Sequence, residues 1–135
     1  MWTYEQSTGR LFDPDGKIVA DGYSGGGTDL ANVEAIAGKN NPAMQAAHFM
    51  GPIPEGVWIV GEPVNSATHG RYALPLTPDV DTDTFGRDHF LMHGDSIPNP
   101  GFASDGCIIQ PYSARVQLWE SGDHRLQVVG KVAIE

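Results

Sequence analysis

Bulky and polar residues alternate along Trp2-Thr3-Tyr4-Glu5-Gln6, the period-two pattern of a strand with one buried face. Thr8-Gly9 supplies a turn. Arg10-Leu11-Phe12 then runs into Asp13-Pro14-Asp15-Gly16, whose proline and Asp-Gly pair are strong turn chemistry. Lys17-Ile18-Val19-Ala20 is the next short strand, so the first twenty residues predict a β-meander. Tyr23-Ser24-Gly25-Gly26-Gly27 reads as loop. No Gly-Lys-Ser/Thr follows its triple glycine and no helical pattern opens from it, which sets aside a phosphate cradle. Residues 28–56 carry little periodicity, although Asn41-Pro42 suits the start of a short helix through Ala43, Met44, Ala46 and Ala47, stopped by Gly51-Pro52.

The second half is richer in β signals. Gly51 to Gly56 is a rigid, turn-rich lead into Val57-Trp58-Ile59-Val60, and Tyr72-Ala73-Leu74 is expected to pair nearby. Phe90-Leu91-Met92-His93 is a strand ending at Gly94-Asp95, and Cys107-Ile108-Ile109-Gln110 reads as a buried strand. One helix follows, with Ser113 as N-cap, Val116 and Trp119 as its apolar face and Gly122 just past its end. Leu126-Gln127-Val128-Val129 closes the chain's β content. The pattern predicts one mainly-β domain over 1–135 with one or two short helices, Trp58 and Trp119 in its core, and no internal repeat.

Composition narrows the function classes. With 40% hydrophobic and 19% charged residues the chain is globular, and 135 residues suffice for a core without a metal or disulfide. The net charge of −9, with no basic cluster, argues against nucleic-acid binding. No apolar run approaches the roughly 18 residues that span a bilayer, so membrane insertion is not expected. The start, Met1-Trp2-Thr3-Tyr4-Glu5-Gln6, lacks the basic and apolar regions of a secretory signal. A lone cysteine excludes an internal disulfide and leaves the compartment open.

Two segments carry chemistry: His93-Gly94-Asp95-Ser96 and Ala103-Ser104-Asp105-Gly106-Cys107-Ile108. A histidine at a strand end and a cysteine just after a glycine suit a base and a nucleophile, because a neutral thiol needs an imidazole to become a thiolate at neutral pH. Amide groups around Gly106 and Cys107 are then candidates for holding the oxyanion. Taken alone, Cys107 would read as a small buried hydrophobe and His93 as a strand-end histidine; together they read as nucleophile and base.

Ser104-Asp105-Gly106-Cys107-Ile108, with His93-Gly94 upstream, resembles the signature of L,D-transpeptidases of the YkuD type. The likeness is greater to the type VI secretion L,D-transpeptidase effectors. With these the chain shares Trp2-Thr3-Tyr4 with the Thr8-Gly9 turn, Gly22-Tyr23-Ser24-Gly25, the Gly51 to Gly56 turn and the His-Gly-Asp and Ser-x-Gly-Cys-Ile pair. It departs from the broader pattern at Asp105, where a histidine is usual, at Ile109, where arginine or asparagine is usual, and in a shorter segment between His93 and Cys107.

The resemblance implies a β-sandwich or curved, barrel-like sheet with cysteine and histidine on neighbouring strands. It implies attack of the Cys107 thiolate on the carbonyl of the L-centre of meso-diaminopimelate in a tetrapeptide stem. D-Ala leaves, and the thioester is resolved by water (L,D-carboxypeptidase) or by an amine (transpeptidase or D-amino-acid exchange). No cofactor is implied. The implied partners are peptidoglycan stems, an immunity protein and secretion-machine components. The chain would be made in the cytoplasm and act in the periplasm of a target bacterium.

The remaining polar residues have bland readings beside functional ones. Gly94, Asp95, Ser96, Ser104 and Asp105 are substrate contacts or loop-capping groups, and Arg87 is a solvated charge or a partner for a stem carboxylate. His89 and His93 copy a helical zinc spacing, but on a strand they would lie roughly 13 Å apart, and no metal is expected. His48, His69 and His124 read as surface, and Asp79, Asp81 and Asp83 as an acidic loop without the glycine and glutamate of a calcium site. Beside the effector reading stand a housekeeping L,D-transpeptidase and a non-catalytic wall-binding or phage structural module.

Overall fold

The computed structural model describes residues 1–26, 38–98, 100–101 and 103–132. Gly27 of the expected glycine loop and residues 28–37 lie outside them. Among the described residues the strands are β1 (Trp2–Glu5), β2 (Arg10–Phe12), β3 (Ile18–Asp21), β4 (Tyr23–Ser24), β5 (Gly56–Val60), β6 (Val64–Ser66), β7 (Gly70–Pro78), β8 (Phe90–His93), β9 (Ile108–Ile109) and β10 (Arg125–Val129). The single α-helix among the described residues, α1, spans Tyr112–Glu120. None of the described helices is long and apolar enough to cross a membrane.

The sheet runs β3-β2-β1-β10-β5-β7-β8-β9-β4, with β6 added on β7. Its two ends, β3 and β4, are separated in the chain by Gly22 alone, so the sheet must curl back on itself into a nearly closed barrel. The mainly-β, curved-sheet expectation is thus met. At the seam the Gly22 N–H and the Gln110 Nε2 both donate to the Gly9 carbonyl, each at 2.8 Å. A side chain at Gly22 would collide with the Ile109 carbonyl, which is why glycine stands there.

Alternating inward positions build the core: Trp2 and Tyr4 of β1, Leu11 of β2, Trp58 of β5, Leu74 of β7, Met92 of β8, Ile108 of β9 and Leu126 of β10, with Leu118 of α1 packed among them. Each buried large apolar side chain stabilises the fold by about 1.5–3 kcal/mol relative to exposure. The indole N–H groups of Trp2 and Trp58 are also satisfied. Trp58 Nε1 donates to the Pro54 carbonyl at 3.0 Å and Trp2 Nε1 to Ser121 Oγ at 3.1 Å.

Several local expectations change. Tyr23–Ser24 is a strand, paired antiparallel to Ile109 and Ile108; it is too short for periodicity to reveal and is followed by glycines that signal loop. The helix expected from Asn41-Pro42 is one 3-10 turn, Pro42–Met44, with Asn41 Oδ1 accepting from the Ala43 N–H. β7 is far longer than Tyr72–Leu74, and it is its later half, Leu76 to Pro78, that pairs with β5. β6 was not expected at all.

Helix α1 starts after Pro111, whose carbonyl accepts from Ala114 and Arg115, and Ser113 lies inside it without a capping role. Its buried side is Ala114, Arg115 and Leu118, with Val116 and Trp119 only half-buried. The rotation has a physical cause. Arg115 reaches inward to donate to the carbonyls of Gln110 (2.5 Å), Tyr72 (3.0 Å) and Arg71 (3.3 Å), so an arginine occupies the stripe where apolar residues were sought. Trp119 instead stacks on His124, ring centroids 3.8 Å apart. Gly122, with φ +79°, ends the helix as expected.

Candidate active site

β8 and β9 run parallel, with Met92 beside Ile108 and His93 beside Ile109. Continuing that register by one residue sets Cys107 next to Leu91. The strand expected over Cys107-Ile108-Ile109-Gln110 is only Ile108–Ile109, so Cys107 lies one residue before β9. Met92 and Ile108 point into the core and are fully buried. Sequence alternation anchors both strands through these core residues, and Cys107 and His93 border a cleft beside them. That cleft has a volume of about 240 Å³ and is lined by both residues, with Arg87, Asp88, Asp105, Gly106, His48, His69 and His89 among its walls.

His93 is buried, and its Nδ1 lies 2.8 Å from the Gly94 carbonyl oxygen. A carbonyl only accepts, so Nδ1 carries the proton and Nε2 presents a bare lone pair. That Nε2 has no partner among the described residues. Burial pushes the imidazole below its ordinary value, and the nearby His69 and Arg115 act the same way. Only the Gly94 bond and Asp95 oppose them. The imidazole is therefore neutral at pH 7 and oriented by Gly94, one of the residues the sequence pointed to.

Cys107 is half-buried, and its Sγ donates to the His89 carbonyl at 3.7 Å rather than to His93. Burial raises the thiol above its ordinary value and Asp105 adds to this. The Leu91 backbone and Arg87 work against it. The resting pair is thus neutral thiol and neutral imidazole, not an ion pair. Fast alkylation at neutral pH, which an exposed and activated thiol would show, does not follow from this arrangement.

The loop before the cysteine is held from several sides. Ser104 Oγ accepts from the Gly25 N–H (2.9 Å) and the Gly106 N–H (3.0 Å) and donates to the Cys107 carbonyl. Ser24 Oγ accepts from the Ile53 N–H (2.8 Å) and donates to the Gly106 carbonyl (2.9 Å). Ser104 is accordingly a loop-capping group with its hydroxyl engaged. Gly106 cannot offer its N–H to an oxyanion in this state, which leaves the Cys107 N–H of the two expected donors. Asp95 caps its own loop, accepting from Ser96 N–H (2.8 Å), Gly101 N–H (3.1 Å) and the Tyr23 hydroxyl (2.5 Å). Burial and that carboxylate both raise the Tyr23 phenol. Asp105 lines the cleft, while Ser96 stands beside Asp95 on the exposed loop.

Arg87 corrects the reading of a solvated charge. It is buried, because its guanidinium is surrounded by carbonyl oxygens that need donors. His89 precedes β8 with φ +61° instead of lying on the strand, so the strand spacing used to weigh zinc does not apply to it. Among the described residues no cluster of three or more His, Cys, Asp or Glu side chains could hold a metal ion.

His69 and His48 are exposed, as expected, yet both line the cleft. The His69 ring, on the β6–β7 turn, lies 4.8 Å from that of His93 and is fixed by Thr68 Oγ1 (2.9 Å) and Ser66 Oγ (3.2 Å). His48 Nε2 meets the Phe85 carbonyl at 3.0 Å. No local pattern marks either residue, since their roles come from loop placement. Phe49, Phe85 and His89, near this rim, all have positive φ (63°, 55° and 61°), an uncommon conformation for such side chains that costs on the order of 1 kcal/mol each.

Comparison of the chain with protein-family models, with curated proteins and with solved structures returned no significant match.

Proposed function

We propose that this protein is a cysteine acyl-transfer enzyme that acts on the tetrapeptide stems of peptidoglycan, as an L,D-carboxypeptidase, by exchange with D-amino acids, or both. The observation that supports it is the placement of Cys107, one residue before β9, and His93, at the end of its parallel neighbour β8, around one cleft, with the imidazole's Nε2 buried and unpaired among the described residues. Substrate entry would break the weak bond from Sγ to the His89 carbonyl and let Nε2 take the thiol proton as sulfur attacks the carbonyl carbon. The Cys107 N–H is the nearest backbone donor for the resulting oxyanion. Collapse expels the D-Ala amine, which takes its proton from His93 and leaves a thioester. Water or a second amine, deprotonated by the same imidazole, then releases the acyl group and restores the thiol.

The stem substrate rests on the likeness of the His93-Gly94-Asp95 and Ser104 to Ile108 segments to those of the transpeptidase effectors. On this reading the enzyme is delivered by a secretion machine to the periplasm of a target cell, where an immunity protein would oppose it. The deciding experiment is digestion of purified muropeptides, read by mass spectrometry. Conversion of tetrapeptide to tripeptide stems, or replacement of the terminal D-Ala by a supplied D-amino acid, is the expected result. In a Gram-negative host, toxicity is expected only when a secretory signal is fused to the chain. Equal toxicity without the signal would point to a cytoplasmic target. The thiol's bond to the His89 carbonyl favours a second reading, a non-catalytic wall-binding module, which unaltered muropeptides that nevertheless retain the protein would support.

The state of His93 sets the pH dependence. Only the neutral imidazole accepts a proton, and burial holds its pKa below the ordinary histidine value of about 6.5. The acid limb of kcat/KM should therefore fall below pH 6.5, with activity lost as the pH drops through the depressed value. A limb at or above the ordinary value in a pH–rate profile would remove His93 from the role of base.

A further inference from the structure

Arg87 is a buried cation with no carboxylate partner among the described residues. Its Nη1 donates to the carbonyls of Gln45 (2.5 Å) and Pro52 (2.8 Å), and its Nη2 to those of Gly51 (2.8 Å) and Asp105 (3.1 Å). The guanidinium also lies over the Phe90 ring, 5.2 Å from its centroid. Carbonyl dipoles solvate the charge but do not cancel it. Gly106, with φ +146°, packs against this group only because it lacks a side chain: a Cβ there would collide with Nη2. The charge therefore sits directly behind the residue that precedes the nucleophile.

We propose that Arg87 is a positioning residue for Cys107: it ties the nucleophile loop to the turns at Gln45 and Gly51-Pro52, and its uncompensated charge favours the thiolate. The inference rests on the reading of Cys107 as nucleophile. A structural arginine alone would be as well served by an acidic partner, which would neutralise it. The thiol is also faced by Asp105 on its own loop, Asp88 and His89 ahead of β8, His93 on β8, His69 on the β6–β7 turn and His48 beside the 3-10 turn. Asp105 raises the thiol, and Arg87 is the cation that lowers it.

The test measures the pH midpoint of iodoacetamide alkylation of Cys107 by mass spectrometry, in protein shown to be folded by circular dichroism. It needs no substrate, so its failure is distinguishable from failure of the peptidoglycan reading, which muropeptide digestion decides. Arg87→Met removes the charge, and its midpoint should move to higher pH, with alkylation slower than in the wild type at pH 7.5. Arg87→Lys keeps the charge, and its midpoint should stay with the wild type. A merely structural role gives the opposite sign for Arg87→Met: a loosened loop exposes the thiol, and its midpoint falls towards that of free cysteine. A midpoint in Arg87→Met at or below the wild type overturns the proposal, as does one in Arg87→Lys displaced as far upward as in Arg87→Met. If Arg87→Met does not fold, Arg87→Lys decides alone, an unchanged midpoint supporting the proposal and a displaced one refuting it.

Discussion

Cys107→Ala is expected to abolish conversion of tetrapeptide to tripeptide stems while leaving the barrel folded. The thiol is half-buried, held by a long contact to the His89 carbonyl and by the Leu91 backbone. Its loss removes a single atom from a cleft wall and should cost about 1 kcal/mol or less. The loop keeps its shape without it, since Ser24, Ser104 and Arg87 hold backbone atoms of residues 105–107 rather than the sulfur. Chemically the loss is total, because the thioester has no other atom on which to form. Thermal melting and muropeptide digestion on the same preparation check both halves. Retained turnover in a folded Cys107→Ala protein sinks the mechanism.

Replacement of His93 should lower kcat by about 10²–10⁴-fold, the range for a positioned general base. His93→Ala also vacates a buried site and leaves the Gly94 carbonyl without its donor, so a fall in stability would blur the result. His93→Gln is the cleaner variant. It keeps most of the side chain's bulk, but its amide offers no basic nitrogen where Nε2 stood. Both variants should show the same catalytic loss despite different melting temperatures. Normal turnover in His93→Gln would transfer the base to another imidazole at the cleft, with His69 the first to examine, its ring being 4.8 Å away.

The legible parts of this fold were those in which one chain segment carries its own signal. Trp2–Glu5, Val57–Val60, Phe90–His93 and Leu126–Val129 alternate or cluster strongly enough to be read as strands, and the turns at Asp13–Gly16 and Gly51–Gly56 carry their own residues. Less legible were features created by partners distant in sequence. Tyr23–Ser24 is a strand because Ile108–Ile109 lies beside it, and α1 turns Arg115 inward because three carbonyls on other segments require a donor. The same division runs through the site. His93 and Cys107 stood out by local context, and the parallel pairing of β8 with β9 brings them to one cleft. Arg87 looked like a surface charge because the four carbonyls that bury it come from two separate regions, residues 45–52 and Asp105. His69 reaches the cleft through the geometry of a turn, to which its neighbours in sequence give no clue.

The clasp of Ser24 on Gly106 joins residues 82 positions apart, and the two-residue strand β9 is flanked by β4 from the start of the chain and β8 from its later half. Loop-closure entropy for so distant a contact must be met before any of its bonds is gained, which makes this seat a late arrival in folding. Until the sheet closes, Cys107 is an ordinary thiol on an open chain and His93 an ordinary, solvated imidazole. On the proposed mechanism the pairing of thiol and imidazole thus belongs to the finished barrel: a chain threaded through a narrow passage in extended form would carry a free thiol but no assembled site until it refolds.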